Sequence, residues 1–255
     1  MWLRLSCAAL AGLAAALAAP PAATRGTLLV SAAVSLTEAL QDCGAAFEHE
    51  TGVAVTFNFG PSNALARQIA QGAPVDVFVS ADERQMDLAE RAGALLPGTR
   101  VTVAGNRLVV IIPGPVNERW PDPSRLLSPA IRRLAVGDPQ AVPAGVYARE
   151  WLERADLWGR LKRKIVPESS VRAALAATGK GAADAAIVYR TDALVARGVT
   201  IVLEVNGPEA PAIRYPAAVV RQSRAPEDAR RFTRFLAGPE GRRLLERRGF
   251  APPPA

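Results

Sequence analysis

The sequence predicts an α/β protein of two lobes, each a mostly parallel sheet flanked by helices, joined by two crossovers. Short apolar runs of strand length alternate with amphipathic helical stretches almost throughout, the pattern of parallel sheets covered by helices. Turn-rich joints near Gly105–Asn106 and Asn206–Ala212 split that pattern into two sets. At 255 residues, 49% of them apolar, the chain is long enough for two cores and far from disordered composition. The joints define a discontinuous first lobe, 26–104 plus 212–255, and a continuous second lobe, 105–211.

Residues 1–24 read as a secretory signal, not as part of the fold. Arg4 precedes an apolar, small-residue run from Leu5 to Ala19, and A-x-A-like cleavage sites lie around Ala16–Ala18 and Pro21–Ala23. That run is too short to span a bilayer comfortably. The first lobe then opens with a strand, Thr27–Ser31, leading into a helix from Leu36 to about Glu50 that Gly52 ends. Val53–Phe59 alternates as a strand, and Asn63–Gln71 is a helix ended by Gly72. Val75–Ser80 is a strand apolar on both faces, and Ser80-x-x-Glu83 reads as a capping box for the helix that follows.

In the second lobe, the unbroken apolar run Leu108–Ile112 predicts a buried strand, and Pro113–Pro129, rich in Pro, Asn, Asp and Ser, a loop. Leu134–Val136 is a strand. Tyr147, Trp151, Leu152, Ala155 and Trp158 mark the inner stripe of one helix. Ile165–Val166, the helix Val171–Thr178 and the strands Ala186–Tyr189 and Val199–Val205 complete the set. Back in the first lobe come an extended Tyr215–Val220, a helix begun by Pro226 with Phe232, Phe235 and Leu236 inside, and a last helix stopped by Gly249. Pro252–Ala255 is expected to fray.

The formal charge is +7, carried by arginine. The arginines are dispersed, and their densest cluster, Arg230 to Arg248, reads as a solvated helix face, which disfavours nucleic acid as a partner. Cys7 falls in the signal. Cys43 shares a helical face with Leu36, Leu40 and Phe47 and reads as a packing thiol. His49, the one histidine, sits between Glu48 and Glu50 and faces solvent; it leaves no base for a serine hydrolase built on Ser35 or Ser62, and neither serine lies in a G-x-S-x-G turn. Asp76, Asp82 and Asp138 lack a metal-ligand spacing and read as caps and turns. No cofactor and no free metal cation is expected.

Four strand-to-helix junctions carry the chemistry. Ser35 with Glu38 fits a capping box at the first; Ser62 stands at the second, in Gly60-Pro61-Ser62-Asn63. Pro143-Ala144-Gly145 opens a helix at the third and Ser169-Ser170-Val171 at the fourth. A helix N-terminus offers N–H groups without intrahelical partners and a partial positive end. Two such termini from each lobe, with two serine hydroxyls, would surround a tetrahedral anion with donors. About six charge-assisted bonds of roughly 1.5–3 kcal/mol each would supply the affinity without a buried arginine. Stability capping alone is the ordinary alternative for such serines. Arg67 and Arg172, just inside two of these helices, are expected to point outward into solvent.

The segments Ser31-Ala-Ala-Val-Ser35-Leu-Thr-Glu-Ala, Leu65 through Asp82, Leu134-Ala-Val-Gly-Asp138-Pro, Val142-Pro-Ala-Gly-Val-Tyr147-Ala, Ala186-Ile-Val-Tyr189-Arg-Thr-Asp192-Ala, Tyr215-Pro-Ala-Ala-Val219-Val and Gly249-Phe250 resemble the periplasmic molybdate-binding proteins of ABC importers, in family order from about Thr27 to Phe250. The resemblance implies the periplasmic-binding-protein fold and a periplasmic monomer. It would take up molybdate, and tungstate, and present it to a membrane permease without catalysis. It also implies the ligand set: the hydroxyls of Ser35, Ser62 and Tyr189 and the backbone N–H groups of Ala144 and Val171, molybdenum being held only as its oxyanion. Pro61-Ser62-Asn63 departs from the serine- and glycine-rich turn usual at the second junction. Sulfate or another tetrahedral oxyanion is the alternative ligand.

Overall fold

The computed structural model describes residues 26–254, and the expected signal lies outside them. The first lobe begins with β1 (Thr27–Ala33), whose Leu28, Val30 and Ala32 are fully buried, as a central strand requires. A 3-10 turn over Val34–Leu36 leads into α1 (Thr37–Thr51), which Gly52 stops at a φ of 73°. Then follow β2 (Ala54–Gly60), α2 (Ser62–Ala70), β3 (Val77–Val79), α3 (Glu83–Arg91) and β4 (Val101–Asn106). The chain then crosses to the second lobe, which runs β5 (Leu108–Pro113), a 3-10 turn at Pro123–Leu127, β6 (Leu134–Gly137), α4 (Pro143–Arg154), α5 (Trp158–Leu161), β7 (Ile165–Glu168), α6 (Val171–Gly179), β8 (Ala185–Tyr189), α7 (Arg190–Val195) and β9 (Val199–Glu204). It returns as β10 (Ile213–Val219), α8 (Pro226–Ala237) and α9 (Pro239–Arg247).

Each lobe has a five-stranded sheet, ordered β2-β1-β3-β10-β4 in the first and β7-β6-β8-β5-β9 in the second. Strand β1 pairs in parallel with β2 and β3, and β6 with β7 and β8. Strand β10 is antiparallel to both its neighbours, and so is β5. Four strands of each sheet therefore run one way, and the reversed one is the strand arriving from the other lobe.

Helices close the faces. In the first lobe α1 lays Phe47 edge-on against Phe232 of α8, ring centroids 5.1 Å apart, and Cys43 is fully buried beside it. Burial pushes the Cys43 thiol up to about 12, which fits the packing role.

Several expectations need correcting. The sequence pattern does not mark strand β4 or helix α7. Ser80 does not cap α3: Asp82 does, its Oδ1 accepting from the Gln85 N–H at 2.9 Å. Trp158 does not extend the α4 stripe, because Asp156 turns the chain at a φ of 54° and Trp158 starts α5, with Arg149 stacked 5.3 Å over its ring. The chain stays paired up to Ala251, directly before the tail expected to fray. Ala251 exchanges backbone hydrogen bonds with Gly105 of β4 at 2.7 and 3.0 Å, and a Cβ on Gly105 would lie 2.7 Å from the Pro252 carbonyl.

Candidate anion-binding site

Two junctions from each lobe meet where the lobes face one another. In the first lobe, Ser35 lies in the turn between β1 and α1. Pro61, extended at φ −64° and ψ 130°, turns the chain out of β2 so that Ser62 opens α2. In the second lobe Pro143 opens α4, Val171 opens α6, and Tyr189 ends β8. Ser35, Ser62, Val171 and Tyr189 line one cavity of about 20 Å³, completed by Ala33, Val34, Gly60, Pro61, Ala81, Val142, Pro143 and Ser170. No charged side chain is among them. The hollow is on the scale of a compact ion, since one water needs roughly 10–15 Å³. Wider hollows of about 230, 430 and 400 Å³ elsewhere gather none of the predicted residues.

Of the five residues expected to bind, Ala144 does not line the cavity. It is the second residue of α4, directly after Pro143, which does. Its N–H lies in the first turn, where no intrahelical acceptor exists; the same holds for Val171, first in α6. Ser170 caps that helix by accepting from the Ala173 N–H at 3.0 Å, fixing its start.

Ser35 is buried but is not the cap the sequence suggested. The cap position of α1 falls on Leu36, already helical at φ −93° and ψ 0°, and no side chain bonds there. The Ser35 Oγ instead lies 3.2 Å from the Tyr215 hydroxyl. Glu38, the other half of the expected box, pairs across the cleft with Arg172 at 2.7 and 3.1 Å. Ser62 Oγ accepts from the Ala81 N–H at 3.0 Å. Tyr189 is fully buried, 5.8 Å from the Tyr215 ring, and its hydroxyl has no hydrogen-bond partner among the described residues. Burial, with the nearby Tyr215 adding to it, holds that phenol well above its ordinary range, so it stays a neutral donor.

Arg67 is exposed as expected. Arg172 is not: half-buried, it joins Glu38 of the first lobe to Asp192 of the second. Burial raises the Asp192 carboxyl to about 6 although Arg172 pulls it down. The lobes also touch where Gln85 Nε2 donates to the Ala141 carbonyl at 3.3 Å. His49 is exposed near the far end of α1, about 18 Å of helix rise from its start. No group of three or more potential metal ligands occurs among the described residues. Sequence reasoning missed Ala81, Tyr215, Asn106 and the Arg172 bridge. Only tertiary structure brings these groups to the serines or across the cleft; Tyr215 is 180 residues from Ser35.

The family model for bacterial extracellular solute-binding proteins matches residues 28–251. The molybdate-binding protein ModA of Escherichia coli K12 is 39% identical over 253 residues, 98% of this chain and 97% of that protein. The periplasmic molybdate-binding protein of Azotobacter vinelandii superposes with a TM-score of 0.80 at 27% identity, over 89% of this chain and all of the other. The sulfate-binding protein SubI of Mycobacterium tuberculosis shares the fold at a TM-score of 0.77 and 19% identity, over 89% and 87%.

Proposed function

The chain belongs to the bacterial extracellular solute-binding protein family, and on that footing we propose that it captures molybdate, and tungstate, between its lobes. In this reading it works as a periplasmic monomer and hands the oxyanion to an ABC permease. The observation that carries the reading is the buried Tyr189 hydroxyl, a donor without a partner among the described residues, in a cavity shared with Ser35, Ser62 and the start of α6. An orphaned buried donor costs about 1–3 kcal/mol, and a guest with four oxygens relieves that cost.

Selectivity against protonated guests follows from the donor set. Hydroxyls and main-chain N–H groups offer protons and no charge, which suits a fully ionised tetrahedral guest and disfavours one that must itself donate. Closure follows from its distribution: Ser35 and Ser62 belong to one lobe, Ala144, Val171 and Tyr189 to the other. The guest therefore meets all of them only when the lobes are together, and binding stabilises that state. No bond is made or broken.

Calorimetry with molybdate, tungstate and sulfate tests the reading. Molybdate and tungstate are expected to bind more tightly than sulfate; sulfate binding as tightly as molybdate would reject it. Ser35→Ala and Ser62→Ala are each expected to weaken molybdate binding by roughly 1–3 kcal/mol with the fold intact. Unchanged affinity in both would remove the site.

A further inference from the structure

We infer that Tyr215 is a positioning residue for the anion site: held by Asn106, its hydroxyl donates to Ser35 and leaves the serine's single proton for the guest. The inference rests on the molybdate reading and extends it to residues outside the cavity.

The direction of each bond can be worked out. The Arg107 N–H donates to Asn106 Oδ1 at 2.8 Å, which fixes the orientation of that amide. Asn106 Nδ2 then has two hydrogens and two acceptors, Thr191 Oγ1 at 2.9 Å and Tyr215 Oη at 3.1 Å. Tyr215 Oη thus accepts from Asn106, and Ser35 Oγ, 3.2 Å away, is its one other hydrogen-bond partner among the described residues, so the hydrogen of Tyr215 is used there. Tyr215 is fully buried and Ser35 nearly so, so solvent does not compete for that hydrogen. Ser35, accepting from Tyr215, keeps its own O–H for the cavity it lines. Ser62 reaches the same polarity by another device, since its acceptor side is taken by the Ala81 N–H at 3.0 Å.

The chain of donors starts at the crossover. Asn106 is the last residue of β4, and through Thr191 it also touches the second lobe. The order of Ser35 is therefore tied to the crossover between the lobes.

The test is a double-mutant cycle by calorimetry with molybdate on the full chain. Tyr215→Phe keeps the ring against Phe250, 5.3 Å away, and removes the donor alone. It is expected to weaken Kd about tenfold, the worth of one buried hydrogen bond. In a Ser35→Ala background the same change is expected to alter Kd less than about twofold, because no serine proton remains to direct. Equal losses in both backgrounds, or none in either, overturn the inference, since a packing role would add independently. Asn106→Asp provides the second variant. Its carboxylate draws the Tyr215 proton away from Ser35, so affinity falls with Ser35 present and the fall shrinks in Ser35→Ala. A wild-type chain that takes up no molybdate overturns the parent reading as well, whereas additive losses in a chain that binds overturn this inference alone.

Discussion

Asp82 joins local structure to the field around the cavity. It follows Ala81, a lining residue, and caps α3 through Oδ1, while Oδ2 is buried with no partner among the described residues. Burial raises its carboxyl to about 6, against the pull of the Gln85 hydrogen bond and of Arg84. With a folded value above the ordinary 3.8, the folded chain holds a proton that the unfolded chain gives up from about pH 4. The resulting stabilisation is complete below that pH and is lost as pH rises through about 6. Asn caps a helix as well as Asp does. Asp82→Asn is therefore expected to gain about 1–3 kcal/mol at pH 7 in denaturant unfolding, with the gain fading towards pH 4. A loss of stability at pH 7 would reject this account. Single residues with local roles were legible beforehand: Cys43 is buried, His49 is exposed and Asp138 accepts from the Gln140 N–H in a turn. The Tyr215 partnership was not, because nothing in a local window marks a tyrosine in an apolar strand as a donor to a distant serine.

At the scale of elements, glycine decides how closely a helix start can approach a strand end. A Cβ on Gly145, third in α4, would press into the Gly137 carbonyl at the end of β6 and lie 2.7 Å from the Asp138 carbonyl oxygen. The first turn of α4, whose Pro143 lines the cavity, approaches the end of β6 this closely only because that Cβ is missing. Gly145→Ala is expected to cost about 1–3 kcal/mol in stability by overpacking, and to weaken molybdate binding by displacing α4. Thermal unfolding and calorimetry check the two effects, and a variant unchanged in both would show that the approach matters to neither. Helix starts were legible as positions and misread as devices. Ser35-x-x-Glu38 and Ser80-x-x-Glu83 both match a capping box, yet neither serine caps. The 3-10 turn leaves Ser35 one residue short of the cap position at Leu36, and α3 starts late enough that Asp82 is its cap while Ser80, two residues earlier, accepts from the Asp82 N–H. A box is counted along the chain, whereas a cap depends on the residue at which the backbone turns helical.

For the whole molecule, two sheets were legible from alternation and turn-rich joints, but their strand order was not. Gly105 and Asn106 read as a turn, which hid β4, and the pairing of β4 with β10 joins residues more than a hundred positions apart. Placing β10 between β3 and β4 also sets an order of assembly. A ribosome releasing the chain from its N-terminus has delivered every strand of the inserted lobe by Glu204, while the surrounding lobe still lacks the strand that joins β3 to β4 until Val219 emerges. Nascent chains are thus expected to hold a finished inner half within an unfinished outer one, the contacts that span the most sequence forming last. A chain stopped after Asn206 should keep slow amide exchange in β5, β6 and β8 and lose it in β3 and β4; protection of all five would mean that the outer half closes without its keystone.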